Sequence, residues 1–276
     1  MQLGIFAKTF SRPSLAETLD AVASYGLRCI HFNFTCVGLP TMPERLDPQV
    51  IAAVREACAA RGIGIAGISG TFNLIDPDVS SRRERLARLP VLARATRELG
   101  CELITLCTGT RDPEDMWRAH RDNASPAAWR DLLHGMEQAI AVAEQYDIVL
   151  GVEPETSNVV SSARQAGQLL DELQSSRVKI VIDPANLFHA GQAERIRETM
   201  EEAFQLLGTD IVMAHAKELP ANGASGSLAP GRGVIDWNYY FGVLARMDFR
   251  GAMILHGVAE ADVSQGVRFL RSKFCD

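Results

Sequence analysis

No two cysteines in the sequence are spaced C-x-x-C, although six are present: Cys29, Cys36, Cys58, Cys101, Cys107 and Cys275. Most of them sit inside apolar segments, where a reduced thiol behaves as a small hydrophobe. Their scatter excludes a zinc knuckle and points to a reducing compartment. No apolar run approaches the ~18 residues that a membrane span requires. The opening MQLGIFAKTF lacks the basic head and long apolar stretch of a secretory leader. A cytoplasmic location with no membrane partner is therefore expected. Positive charge is also in short supply, with 28 Lys and Arg against 34 Asp and Glu and a net charge of −6. That balance suits neither nucleic acid nor an anionic membrane surface, so no nucleic-acid partner is expected. The stretch after the first strand candidate, AKTFSRPS, has no G-x-G-x-x-G, which argues against an open dinucleotide-binding sheet.

What is present is apolar mass with a regular rhythm. Hydrophobic residues make up 47% of 276, enough for a large core, and charged residues make up 22%, near the globular norm. Eight short apolar runs read as strands: Leu3–Phe10, Arg28–Phe34, Gly64–Phe72, Glu102–Gly109, Ile148–Glu155, Val178–Asn186, Ile211–Glu218 and Ala252–Val258. Runs such as IVLGV, VKIVI and AMIL are almost continuously apolar, as strands covered on both faces are. Between them lie helical stripes. Leu15, Leu19 and Val22 recur at i, i+4, i+7, as do Ile196, Met200, Ala203 and Val263, Val267, Leu270; Leu133, Met136 and Ile140 recur at i, i+3, i+7. Asp47 before Pro48, and Asp236, read as helix caps. Pro90 is expected to kink or split the arginine-rich helix after Ser80. Strict βα alternation implies parallel strands with right-handed crossovers. The fold class expected is α/β, a single (β/α)8 TIM barrel, with residues 1–276 forming one domain. The Gly/Ser/Ala/Pro-rich stretch Ala221–Gly233 follows a strand and reads as a loop over the barrel mouth rather than a linker.

In such a barrel the carboxyl ends of the strands share one mouth. Four consecutive strands end in a side chain able to bind metal: IVLGVE at Glu153, VKIVID at Asp183, DIVMAH at His215 and AMILH at His256. Two carboxylates and two imidazoles suit Mn²⁺, Zn²⁺, Co²⁺ or Fe²⁺ better than Ca²⁺. Taken singly, each could equally cap or salt-bridge a strand end. Their common position is the signal.

With these residues in view, the sequence resembles the sugar phosphate isomerase/epimerase group, the xylose isomerase-like TIM barrels. The resemblance runs along essentially the whole chain. It is carried by GTFNLIDPD (Gly70–Asp78), LCTGTRDPEDMW (Leu106–Trp117), GVEPE (Gly151–Glu155), VIDPANLF (Val181–Phe188), AHAKE (Ala214–Glu218) and PGRGVIDW (Pro230–Trp237). It implies a divalent metal, Mn²⁺ or Zn²⁺ ahead of Co²⁺, Fe²⁺ or Mg²⁺, held by Glu, Asp, His and Glu from the fifth to eighth strands. Glu153, Asp183 and His215 match three of those positions. His256 stands where the epimerases have a second glutamate that also moves a proton, and Asn186 stands where they have a substrate-binding His. The activity implied is sugar or sugar-phosphate isomerisation or epimerisation, by proton abstraction next to a carbonyl through a metal-stabilised enediolate. Glu153 would be the base, and His256 would be proton carrier or ligand. The substrate would be a small polyhydroxy carbonyl compound.

Other mouth candidates follow from strand period and loop position. Lys217 shares parity with His215 and reads as either a substrate-anion or enolate partner or a buried lysine paired with Glu153 or Glu155. Arg232, between two glycines, matches the family's substrate-binding arginine. Asn186, Lys8 at the end of the first strand and Asn33 at the end of the second are further substrate-binding candidates, as is Thr108 together with Thr110 and Arg111. His31 reads equally as a mouth or a core histidine. Trp117 and His120 read as a wall. Glu155 is unassigned, and His189 carries no role. The alternatives are an inosose-type dehydratase, an endonuclease IV-like phosphodiesterase, and a non-catalytic sugar-binding barrel. Barrels of this kind also self-associate, which leaves a homo-oligomer open.

Overall fold

The computed structural model describes residues 1–188, 191–222 and 228–274. Eight parallel strands close in sequence order into one barrel: β1 Gln2–Phe6, β2 Cys29–Phe32, β3 Gly64–Ser69, β4 Leu103–Cys107, β5 Val149–Glu153, β6 Val178–Ile182, β7 Ile211–Ala216 and β8 Ala252–Leu255. The first and last strands pair from Gln2 with Ala252 to Ile5 with Leu255, which removes any free edge. The helices around it are α1 Leu15–Ser24, α2 Pro48–Ala59, α3 Val79–Ala87, α4 Leu89–Glu98, α5 Pro126–Tyr146, α6 Ala163–Leu173, α7 Ile196–Leu207, α8 Trp237–Arg246 and α9 Val263–Phe274. The chain is thus a single (β/α)8 barrel.

Local chemistry sets the helix boundaries. Asp47 accepts from Gln49 N at 2.8 Å and Asp236 from Tyr239 N at 3.0 Å, each satisfying an amide that lacks a helical partner. Pro90 divides the arginine-rich stretch: α3 stops at Ala87, and α4 restarts at Leu89 with the proline in its first turn. The stripe expected on α5 is displaced by one residue. Leu133 and Ile140 are only half-buried, and the covered face runs through Leu132, Met136, Ala139 and Ala143. That face meets the barrel, and small alanines allow close approach.

The strands are shorter at their carboxyl ends than the apolar runs suggest. There, polar side chains bond to their own backbone and turn the chain into single 3-10 turns. Asp183 accepts from Ala185 N at 3.0 Å and starts the turn Pro184–Leu187; Asn33 accepts from Thr35 N at 2.9 Å and starts Phe34–Val37. Lys8 belongs to the turn Ala7–Thr9 rather than to β1. Below the mouth the barrel is filled by large side chains facing glycines. A Cβ on Gly67 of β3 would lie 2.8 Å from the Met213 terminal methyl of β7. The pairing of β2 with β3 slips by one residue beside this glycine, so that Gly67 pairs with His31. No helix among the described residues is long and apolar enough to cross a membrane.

Candidate metal centre and substrate cavity

A cavity of about 420 Å³ opens at the carboxyl ends of the strands. On its β5–β8 side the four strand-end groups come together. Glu153 closes β5, Asp183 directly follows β6, His215 lies in β7 and His256 directly follows β8. His215 Nδ1 lies 3.2 Å from Glu153 Oε1 and 3.5 Å from Asp183 Oδ2. The His256 ring stacks on His215 with centroids 4.7 Å apart and planes 9° apart. One donor atom each from Asp183, His215 and His256 falls within 4.8 Å of the others, and Glu153 joins them through its contact with His215.

The electrostatics of this cluster are those of a site that a cation could occupy. Asp183 is fully buried, and its Oδ2 has no hydrogen-bond partner among the described residues; His215 Nε2 and His256 Nδ1 are likewise buried and unpartnered. Burial alone would neutralise Glu153 and Asp183, but His215 holds both below the usual carboxylate range. The reciprocal effect acts on His215. Burial favours its neutral form, yet Glu153 and then Asp183 raise it to about 9. His256 goes the other way, to about 4, through burial and then the neighbouring His215. A divalent cation fits this set: two buried carboxylates supply the negative charge, and imidazoles suit Zn²⁺, Mn²⁺, Co²⁺ or Fe²⁺. Such an ion would satisfy the buried Asp183 Oδ2 and the imidazole nitrogens that lack hydrogen bonds.

A second set of contacts orients the first. Lys217 Nζ donates to Asn186 Oδ1 at 2.6 Å, and Asn186 Nδ2 donates to Glu153 Oε1 at 2.7 Å. The amide thus links an ammonium to the carboxylate expected to act as base. Glu155 also lines the cavity, accepting from Ser157 Oγ at 3.2 Å. Burial, and then Glu153, push it up to about 7.

The remaining sequence candidates divide. Asn33 and Lys8 line the cavity; Asn33 is buried, whereas Lys8 is exposed at the rim with its ammonium 5.9 Å from the Phe6 ring centre. Trp117, half-exposed, and Met116 form part of the wall. Thr108 does not face the cavity: fully buried, it accepts from Val160 N at 3.1 Å and ties two loops together. Thr110 donates to Arg118 O at 2.7 Å, and Arg111 donates to Ile75 O at 2.9 Å and pairs with Asp131. His120 caps a 3-10 turn through Asp122 N. Arg232 is exposed and reaches Gln265 Oε1 at 3.1 Å, away from the cavity. Its loop is held by Glu218, a buried carboxylate that accepts from Leu219 N, Gly231 N, Ile235 N and Trp237 Nε1. His189 and residues 223–227 of the Ala221–Gly233 loop lie outside the described residues. Phe6, Thr41, Ser69, Thr71 and Thr105 line the cavity without having been singled out in sequence. Strand parity with Gly67 marks Ser69, and position just past a strand end marks Thr71. Phe6 carried no such signal.

The fold belongs to a known family. Residues 19–273 match the family model described as xylose isomerase-like TIM barrel, and the chain belongs to that family. Among curated proteins none matches the sequence. Similar solved structures include D-psicose 3-epimerase with D-tagatose from Clostridium cellulolyticum H10, at 16% identity and a TM-score of 0.76 over 99% of each chain. 3-Keto-D-glucoside 4-epimerase YcjR from E. coli is similar at 15% identity and a TM-score of 0.74, also over 99% of each. The IolI protein with a bound zinc atom shares 15% identity and a TM-score of 0.75 over 99% of this chain and 96% of its own. These likenesses show the shared fold.

Proposed function

We propose that the protein is a divalent-metal-dependent sugar or sugar-phosphate isomerase or epimerase that removes the proton next to a carbonyl. The observation that carries this reading is the convergence of Glu153, Asp183, His215 and His256, with the buried nitrogens His215 Nε2 and His256 Nδ1 left without hydrogen-bond partners among the described residues. Its support includes the sugar epimerases of the same fold and the zinc bound by IolI. A cation held by these four residues, Mn²⁺ or Zn²⁺ foremost, would act as a Lewis acid on the substrate's carbonyl and adjacent hydroxyl oxygens and so acidify the intervening C–H. Glu153 takes the proton. It is ionised, and both of its hydrogen-bond partners use Oε1, which leaves Oε2 for the transfer. Asn186 fixes the carboxylate's rotation, and Lys217 holds the amide of Asn186 in the donating orientation. His256, neutral at pH 7, serves as a ligand; its low proton affinity disfavours it as the group that carries the proton back.

The test is proton exchange. Ketoses incubated in D₂O with the Mn²⁺-loaded protein are expected to gain deuterium at the carbon beside the carbonyl. A broad panel showing no incorporation would sink the reading. The product formed separates isomerisation from inosose-type dehydration, which starts with the same step.

A further inference from the structure

We propose that the cavity wall built by β2, β3, β4 and the turns that follow them is a subsite for an uncharged, hydroxylated substrate tail, with His31 as its central hydrogen-bonding group. The substrate class is then a neutral polyhydroxy carbonyl compound rather than a sugar phosphate or sugar acid. The inference rests on the proton-abstraction reading only for which end of the substrate lies at Glu153.

His31 lines the cavity yet is only 3% exposed. It sits where the β2–β3 register slips, and such irregularities re-aim side chains next to sites. Its ring is fixed on two sides. Phe6 stacks on it with centroids 4.7 Å apart, and Nε2 lies 3.0 Å from Thr105 Oγ1. Nδ1 is buried with no hydrogen-bond partner among the described residues. A fixed ring with one nitrogen committed and the other free is arranged for a further partner, because buried polar groups are nearly always satisfied. An imidazole with Nε2 committed to Thr105 offers its second nitrogen as one further donor or acceptor.

The groups around it share that dual character. Asn33, Thr41, Ser69, Thr71 and Thr105 are all uncharged. Ser69 Oγ and Thr71 Oγ1 lie 3.2 Å apart, and Asn33 exchanges hydrogen bonds with Thr41 Oγ1 at 3.3 Å. A sugar hydroxyl both donates and accepts and matches such a wall. A phosphate or carboxylate only accepts and is held by fixed cations. Among the described residues lining the cavity, the cation on this side is Lys8, exposed at the rim over Phe6; Lys217, on the opposite side, is bonded to Asn186, and Arg111 and Arg232 are engaged elsewhere.

The experiment measures binding of a hexitol, which has no carbonyl and cannot react, and of the same hexitol 6-phosphate, to the Mn²⁺-loaded protein by calorimetry. The hexitol is expected to bind at least tenfold more tightly than its phosphate. His31→Phe, which keeps the stacking, is expected to weaken hexitol binding about tenfold, the worth of one hydrogen bond. His31→Asn, which restores an amide near the Nδ1 position, is expected to recover part of that loss. Thr71→Val, at a half-buried position, is expected to cost about threefold and keeps the question decidable if the His31 variants do not fold. Hexitol affinity equal in wild type and His31→Phe, no hexitol binding at all, or tighter phosphate binding that Lys8→Met abolishes would each overturn the subsite. Hexitol binding that depends on His31, with no ketose exchanging deuterium, would keep the subsite and remove the catalytic reading.

Discussion

The two sides of the cavity are built from different chemistry. On the β5–β8 side, Glu153, Asp183 and His215 are ionisable, tightly packed and mutually dependent; the proton affinity of each is set by its neighbours. On the β2–β4 side, His31, Asn33, Ser69 and Thr105 are neutral and buried; His31 bonds to Thr105, Asn33 to Thr41 and Ser69 to Thr71. A reacting centre needs charge that is expensive to bury and therefore strongly coupled. A recognition wall needs groups that cost little to desolvate and that can accept or donate. Substitutions on the two sides should accordingly differ in kind, rate on one and affinity on the other.

The sharpest way to break that contrast is Glu153→Gln, which is expected to lower deuterium exchange by about 10³ or more while hexitol binding persists; a variant that retains exchange shows that the base lies elsewhere. Asp183→Asn, removing a fully buried carboxylate, is expected to abolish metal uptake as read by elemental analysis of the purified protein. One shell out, Asn186→Ala or Lys217→Met is expected to cost about 10–100-fold in turnover or metal affinity, because orienting groups tune the residues they hold. Equal turnover would leave the Lys217–Asn186–Glu153 chain without a role.

Outside the cavity, Thr108→Val should act on stability alone. It leaves the Val160 amide buried without its acceptor, a cost of about 1–3 kcal/mol and a few degrees in Tm, with hexitol affinity unchanged. The smallest effect concerns Glu155, whose folded pKa of about 7 exceeds its ordinary 4.5. The stability this group contributes is fully present below pH 4.5 and is lost as pH rises through 7. Metal-free Glu155→Gln is therefore expected to gain on the wild type by a degree or two between pH 5 and pH 8.5, and a Tm difference that stays flat with pH would contradict it.

The barrel was legible because eight apolar runs alternate with helical patterns, and a period is visible without knowing what touches what. Glu153, Asp183, His215 and His256 were legible because each directly follows an apolar run. Position alone did not reveal which loop residues turn inward. Thr108 and Arg232 sit in favourable places, but Val160 N and Gln265 compete for them, and both partners lie far away in sequence. The hydroxyl wall was hidden for the same reason. Ser69 and Thr105 look like ordinary strand residues until the register slip beside Gly67 and the stacked Phe6 ring place His31 among them.

Glu218 has a consequence for how this scaffold can change. The segment from Leu219 to Ile235 begins and ends on the same carboxylate, so it is a noose drawn shut at one point. Entropy penalises a longer noose only slowly, and the knot lies outside the barrel's hydrogen-bond ladder. Grafts or insertions between Leu219 and Gly231, which Glu218 also holds, should leave the strands undisturbed, so added length here costs the barrel little.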